Sequence, residues 1–191
     1  TGGTTVIAGE LHAFTTQSFG TGAVTLAGTN AIDLAEIHYT LTNSPLAVGP
    51  LTLNGNAEVS LTAGSSILSS GAVTIDSTNN FISIAGNTWA QGTNILIQGT
   101  SISYLSGSNN ILLTGPSLNS GTLSLGQSNT IGRSTYTFGA DATTIYVIQT
   151  GTPLDLLWTG AQNNLWNTNA TNWQNATNGL NPVPPDIEFV E

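Results

Sequence analysis

Apolar and polar positions alternate with a period of two from about residue 22 to residue 150. The clearest cases are Val24-Thr25-Leu26, Leu51-Thr52-Leu53, Val59-Ser60-Leu61, Val73-Thr74-Ile75, Ile82-Ser83-Ile84, Ile102-Ser103-Tyr104 and Leu123-Ser124-Leu125, joined by the wholly apolar Ile95-Leu96-Ile97. An apolar residue at i and i+2 with a small polar residue between them is what a strand needs when one face is buried. Gly or Asn closes each triplet within a few residues, at Gly28, Gly55, Gly64, Gly86, Gly99, Gly107 and Gly126. Glycine reaches the left-handed region at little cost, so the pattern predicts short strands and frequent turns. Helical periodicity is nearly absent. Only residues 31–38 read as one short turn of helix.

The triplets fall into two families by spacing. Leu51, Val73 and Ile95 are separated by 22 and 22 residues; Val59, Ile82, Ile102 and Leu123 by 23, 20 and 21. A recurrence of this size is what one coil of a parallel β-helix consumes, with three strands at ~3.3 Å per residue and the turns between them. Leu51 over Val73 over Ile95 is then an internal aliphatic ladder. Asn54-Gly55-Asn56, Asn79-Asn80 and Asn109-Asn110 fall at or near the corners, where stacked amides bond along the axis. A β-sandwich also has short strands every 8–12 residues. The Thr/Ser-rich polar faces, the few prolines before residue 150 and the scarcity of large aromatics favour the solenoid. The expectation is an all-β chain, a right-handed parallel β-helix over 1–150 followed by a distinct segment over 151–191, with the sandwich as alternative.

Composition narrows the chemistry. Gly, Asn, Ser and Thr make up 90 of 191 residues, while Leu, Ile, Val and Phe supply 49, enough apolar material for a core. Ten acidic residues face one basic residue, Arg133, for a net charge of −9. Nucleic acids and anionic membranes are held by Lys and Arg, so neither is an expected partner. The absence of Cys removes disulfides, thiolate chemistry and Cys-ligated metal. No run of 18 apolar residues exists to insert as a membrane helix. No basic segment followed by an apolar run stands at Thr1 as a secretion signal would, and the abrupt ends lead us to expect a piece of a longer protein.

Three of the four tryptophans lie beyond Gly151, in Trp158-Thr159-Gly160, Asn164-Leu165-Trp166 and Asn172-Trp173, ahead of a Pro-rich stretch and Asp186-Ile187-Glu188-Phe189. Residues 154–191 resemble the autotransporter-associated β-strand repeat, in which a W-T-G, a W in an Asn-rich turn, an N-W and an Asp-containing stretch leading to a strand follow in this order. The chain departs from the pattern in Val183-Pro184-Pro185 and in Glu188, outside the tryptophan frame. The resemblance covers about a fifth of the chain. It implies a secreted or surface-displayed bacterial protein, in passengers that are mostly right-handed β-helices acting as adhesins or in self-association. A solenoid whose coils touch only their neighbours suits such export, since it can fold coil by coil.

Candidate residues are few. Trp158, Trp166 and Trp173 suit stacking on sugar rings, or else form the small core of their own segment, which is the reading the resemblance favours. Asp33, Glu36 and His38, with His12 elsewhere in the chain, are the densest ionisable patch and offer ligand types for a divalent cation. No calcium-loop motif accompanies them, so they are expected as a solvated edge of the first coils, and no metal or cofactor is assigned. Glu58 and Asp76 are the nearest approach to a paired-carboxylate glycosidase site, yet their separation falls short of one full coil, and no nucleophile or phosphate-loop motif occurs. No catalytic residue is therefore assigned. The sequons at Asn169 and Asn175 are expected by chance in so Asn- and Thr-rich a chain. Arg133 is expected at a coil end, against Asp141 or exposed carbonyls.

The expected function is non-enzymatic: a bacterial surface or secreted protein segment that adheres to a surface glycan or protein, or to itself, through repeated weak polar contacts. One alternative is an extracellular fibre assembled end to end through strand edges, with Ile187 and Phe189 completing a neighbour. A carbohydrate-binding or carbohydrate-acting β-helix is the third reading.

Overall fold

The computed structural model describes residues 2–86, 89–105, 110–115, 118, 121–131, 134–151, 156–160 and 172–175, with backbone alone for Leu156, Trp173 and Asn175. The described chain is all β, without an α-helix, and from β1 to β13 it winds into stacked parallel coils. The fold is a β-solenoid.

The first coil contributes β1 (Thr4–Val6) and β2 (Gly9–Ala13). The second contributes β3 (Val24–Leu26), β4 (Ala35–Tyr39) and β5 (Leu46–Val48), and the third β6 (Leu51–Asn54), β7 (Ala57–Thr62) and β8 (Ile67–Ser69). The fourth holds β9 (Ala72–Asp76), β10 (Asn80–Ala85) and β11 (Gly92–Gln98), and the fifth begins with β12 (Ser101–Tyr104) and β13 (Ile111–Thr114). Three parallel ladders result: β1-β3-β6-β9-β12, β2-β4-β7-β10-β13 and β5-β8-β11.

Residues in register on successive coils stack inside. In the first sheet Val24, Leu51, Val73 and Ile102 form one column, and Leu26, Leu53, Ile75 and Tyr104 another. In the second, Ile37, Val59, Ile82 and Leu113 stack; in the third, Leu46, Ile67 and Ile97. Leu51 over Val73 and Val59 over Ile82 are as the spacing of the triplets predicts. Ile95 and Ile102 are not where that spacing puts them. Val73 is partnered by Ile102 and Ile82 by Leu113, steps of 29 and 31 residues against the 22 and 23 that directly precede them in the same columns. The fourth coil is long because its connection from β10 and the seven-residue β11 extend it. Ile95 therefore lies in the third sheet, 41% exposed, beside a bulge that turns both Leu96 and Ile97 inward. The expected helical turn at 31–38 is corrected too. Ala35, Ile37 and Tyr39 alternate inward with Glu36 and His38, which is a strand, and only the Asn30 side chain, accepting from the Ile32 and Asp33 amides, makes a turn.

The coils end in antiparallel strands. β14 (Thr122–Ser124) pairs antiparallel with β13, and β15 (Ser128–Ile131), β16 (Ser134–Ala140) and β17 (Thr144–Thr150) form a meander whose last strand pairs antiparallel with β11. This meander sends Phe138, Ile145 and Val147 into the core with no exposed surface. Its turn also reaches the first sheet, where Gly99 N–H donates to Thr143 O at 2.9 Å and Ile102 N–H to Ala142 O at 2.8 Å. An open solenoid end would leave apolar columns and unpaired strands exposed; here the meander packs over the core and pairs β11, β14 pairs β13, and β12 stays the last strand of its sheet. β18 (Leu156–Trp158) and β19 (Trp173–Asn175) form a separate two-stranded sheet.

Candidate functional site

The outer face of the second sheet carries the densest chemistry. Because Leu11, Ile37 and Val59 stand in register with inward-facing positions, their neighbours on both sides face outward. Glu10, Glu36 and Glu58 thus form one outer row, and His12, His38 and Ser60 the next. Glu10 Oε1 lies 2.9 Å from His12 Nε2 and 3.2 Å from His38 Nδ1, and Glu36 Oε1 lies 3.7 Å from His38 Nδ1. The two imidazole centroids are 4.9 Å apart, and His12 stacks on Phe14 at 5.8 Å and 13°. Burial, then the charges of Glu58 and Glu10, push the Glu36 carboxyl above its ordinary range against the opposing pull of a Ser60 hydrogen bond and His38. Ser83 Oγ donates to Glu58.

Among the described residues, Glu10, His12 and His38 are the cluster able to hold a metal ion, their ligand atoms all within 4.8 Å of one another. Of the patch expected from sequence, Glu36 and His38 are there with His12. Asp33 is not; it sits in the preceding turn, where its carboxylate accepts from Asn30 Nδ2 at 2.7 Å. Sequence reasoning missed Glu10. The signal was present as a repeat, Glu10-Leu11-His12 and Glu36-Ile37-His38, followed by Glu58-Val59-Ser60.

The first sheet presents a different surface. Thr5, Thr25, Thr52, Thr74 and Ser103 stand in register across five coils on its outer face, an uncharged hydroxyl column. At the adjoining corner Asn79 Nδ2 donates to Asn56 Oδ1 at 3.3 Å, the stacked amide pair expected there, and Ser77 Oγ donates to Asn54 Oδ1 at 3.3 Å, while Asn109 lies outside the described residues. Elsewhere Trp89, tilted against Tyr136 with ring centroids 6.3 Å apart, lines a groove of about 460 Å³ with Asn43, Ser65 and Asn94.

No family model, curated protein or solved structure matches this chain. Trp158 and Trp173 are paired residues of β18 and β19, and Thr159 N–H and Oγ1 both donate to Asn172 O at 2.6 and 2.8 Å. The W-T-G and N-W elements are thereby brought together. Trp166, Ile187 and Phe189 lie outside the described residues, as do Arg133 and Asn169. Asp141 takes its hydrogen bonds from Thr143 and Thr144, which fold the β16–β17 turn around its carboxylate. Glu58 and Asp76, considered as a carboxylate pair, belong to different sheets.

Proposed function

We propose that this chain is a non-enzymatic segment of a bacterial surface or secreted protein, an autotransporter-type adhesin passenger that works by adhesion or self-association through its solenoid faces. The observation that carries this reading is the hydroxyl column from Thr5 to Ser103, repeated at the strand spacing and free of charge. A flat row of identical donors and acceptors with a repeat of about 4.8 Å is matched best by another periodic surface, either a second solenoid or a polysaccharide. Each contact is weak, and the repetition supplies the avidity. The order of the W-T-G and N-W elements along the chain carries the resemblance that suggests surface display. The end-to-end fibre draws less support, because the antiparallel meander interrupts the parallel register at one end of the coils.

The test is the assembly state of the purified chain by small-angle scattering and negative-stain imaging, beside the double variant T52K/T74K. The expected result is a concentration-dependent lateral dimer, or binding to bacterial surface polysaccharide, that the two lysines abolish without altering the circular dichroism spectrum. A monomer indifferent to polysaccharide at every concentration, or rods growing along the coil axis in both proteins, would overturn the reading.

A further inference from the structure

We propose that Glu10, His12 and His38 form a binding site for a divalent transition-metal ion of the zinc class. With metal–ligand bonds of ~2.0–2.2 Å, two ligands of one ion lie roughly 3–3.5 Å apart in tetrahedral or octahedral geometry. The Glu10 oxygen already stands 2.9 and 3.2 Å from the two imidazole nitrogens, and all three ligand atoms lie within 4.8 Å of one another, so rotation of exposed side chains brings them to those distances around an ion. Two nitrogens and one carboxylate oxygen suit zinc and its neighbours, whereas calcium and magnesium prefer sites made wholly of oxygen.

The backbone fixes this arrangement. Glu10 and His12 share one strand and one face, and His38 is held beside His12 by parallel pairing. Phe14 stacks on the His12 ring. Exposure of 46%, 40% and 33% for the His12, Glu10 and His38 side chains leaves the ion's remaining positions open to water or to a donor from a partner.

A second observation points to a cation independently of the histidines. Glu10, Glu36 and Glu58 are stacked in register on three successive strands, and like charges directly opposite destabilise a sheet. The chain has no Lys, and its one Arg is at position 133. An ion at Glu10, with Glu36 3.7 Å from the same His38 nitrogen, would neutralise the head of that row.

The experiment is isothermal titration of the full chain, dialysed against chelator, with zinc, nickel, calcium and magnesium salts in turn, and histidine-ring NMR across the zinc titration. The expected result is one zinc per chain in the micromolar range, with calcium and magnesium at least a hundredfold weaker. Ring signals of both His12 and His38 should shift. H12A and H38A should each weaken zinc at least tenfold, and D33N should leave it unchanged. Should the alanine variants misfold, H12Q and H38Q serve in their place, checked by circular dichroism. Millimolar zinc binding, zinc binding unaffected in the double histidine variant, or calcium bound as tightly as zinc would each overturn the site.

Discussion

The side-chain oxygen of Asn80 accepts the backbone N–H of Gly55 at 2.9 Å, from one coil to the coil before it. The amide nitrogen of Asn80 donates to Asp76 O at 2.9 Å within its own coil and to Asn110 O at 3.1 Å in the coil after. Fully buried, Asn80 occupies a column whose other members are Gly9, Ala35, Ala57 and Ile111, so one polar residue inside the core ties three coils together. Orphaning a buried backbone group costs about 1–3 kcal/mol. Asn80→Ala is expected to lose about 3 kcal/mol in urea unfolding, and a loss under about 1 kcal/mol would contradict the three-coil tie.

Phe138 carries the closing meander. It is fully buried, and truncating a core Phe typically costs about 3–5 kcal/mol. Phe138→Ala is expected to fall in that range and to promote aggregation, because it loosens the strands that cover the last coil. Light scattering during thermal unfolding checks the second part. A variant that loses stability while remaining as soluble as the parent would show that the meander is not needed as a cover.

Tyr104 ends an internal column with its hydroxyl buried and without a hydrogen-bond partner among the described residues. Burial, with the Asp141 charge adding to it, pushes its phenol up to about 12. Removing an unsatisfied buried hydroxyl is close to neutral or stabilising. Tyr104→Phe should therefore change stability by no more than ~0.5 kcal/mol downward and up to about 1 kcal/mol upward, measured by chemical denaturation. A clear loss would reveal a partner for the hydroxyl.

Asp141 gives a pH dependence of known sign. The Thr143 amide, then the Thr144 hydroxyl and amide, hold its carboxyl down to about 2, against an ordinary value of 3.8. A depressed carboxyl contributes stability that is present above the unfolded value and lost as pH falls through the folded one. The contribution should fade between pH 3.8 and about 2. Glu36, whose carboxyl is raised, acts in the opposite sense, since its protonation relieves the repulsion of the stacked row. Unfolding midpoints from pH 6 to 2 should fall less steeply below pH 4 in Asp141→Ala than in the parent; identical slopes would refute the assignment.

Gly160 explains the glycine of W-T-G. Its φ is +63°, and a Cβ there would meet the Trp158 ring at 2.9 Å. Gly160→Ala is expected to displace the indole and weaken the β18–β19 pair by ~1 kcal/mol or more. Tryptophan fluorescence and near-ultraviolet circular dichroism should change while the far-ultraviolet spectrum of the coils does not.

The period-two pattern made the solenoid legible because inside and outside positions alternate strictly in β4, β6, β7, β9 and β10. Spacing alone went wrong where coil length varied. A constant step led from Val73 to Ile95, whereas pairing led to Ile102. The antiparallel closure was also hidden, since Leu123-Ser124-Leu125 alternates in the same way whether its strand runs with its neighbour or against it. The Glu10, His12 and His38 cluster depended on pairing β2 with β4 across a whole coil, a proximity that composition does not report but the repeated Glu-x-His does.

Unequal coils have a mechanical consequence. The hydrogen bonds of the three ladders run along the solenoid axis, so a pull between its ends loads them directly, and each coil depends only on its neighbours. Tension should therefore release the chain one coil at a time. The unequal steps that separate Val24, Leu51, Val73 and Ile102 correspond in turn to roughly 90, 75 and 100 Å of extended chain. A chain built this way lengthens in steps under load, and each release has a length that identifies the coil it came from.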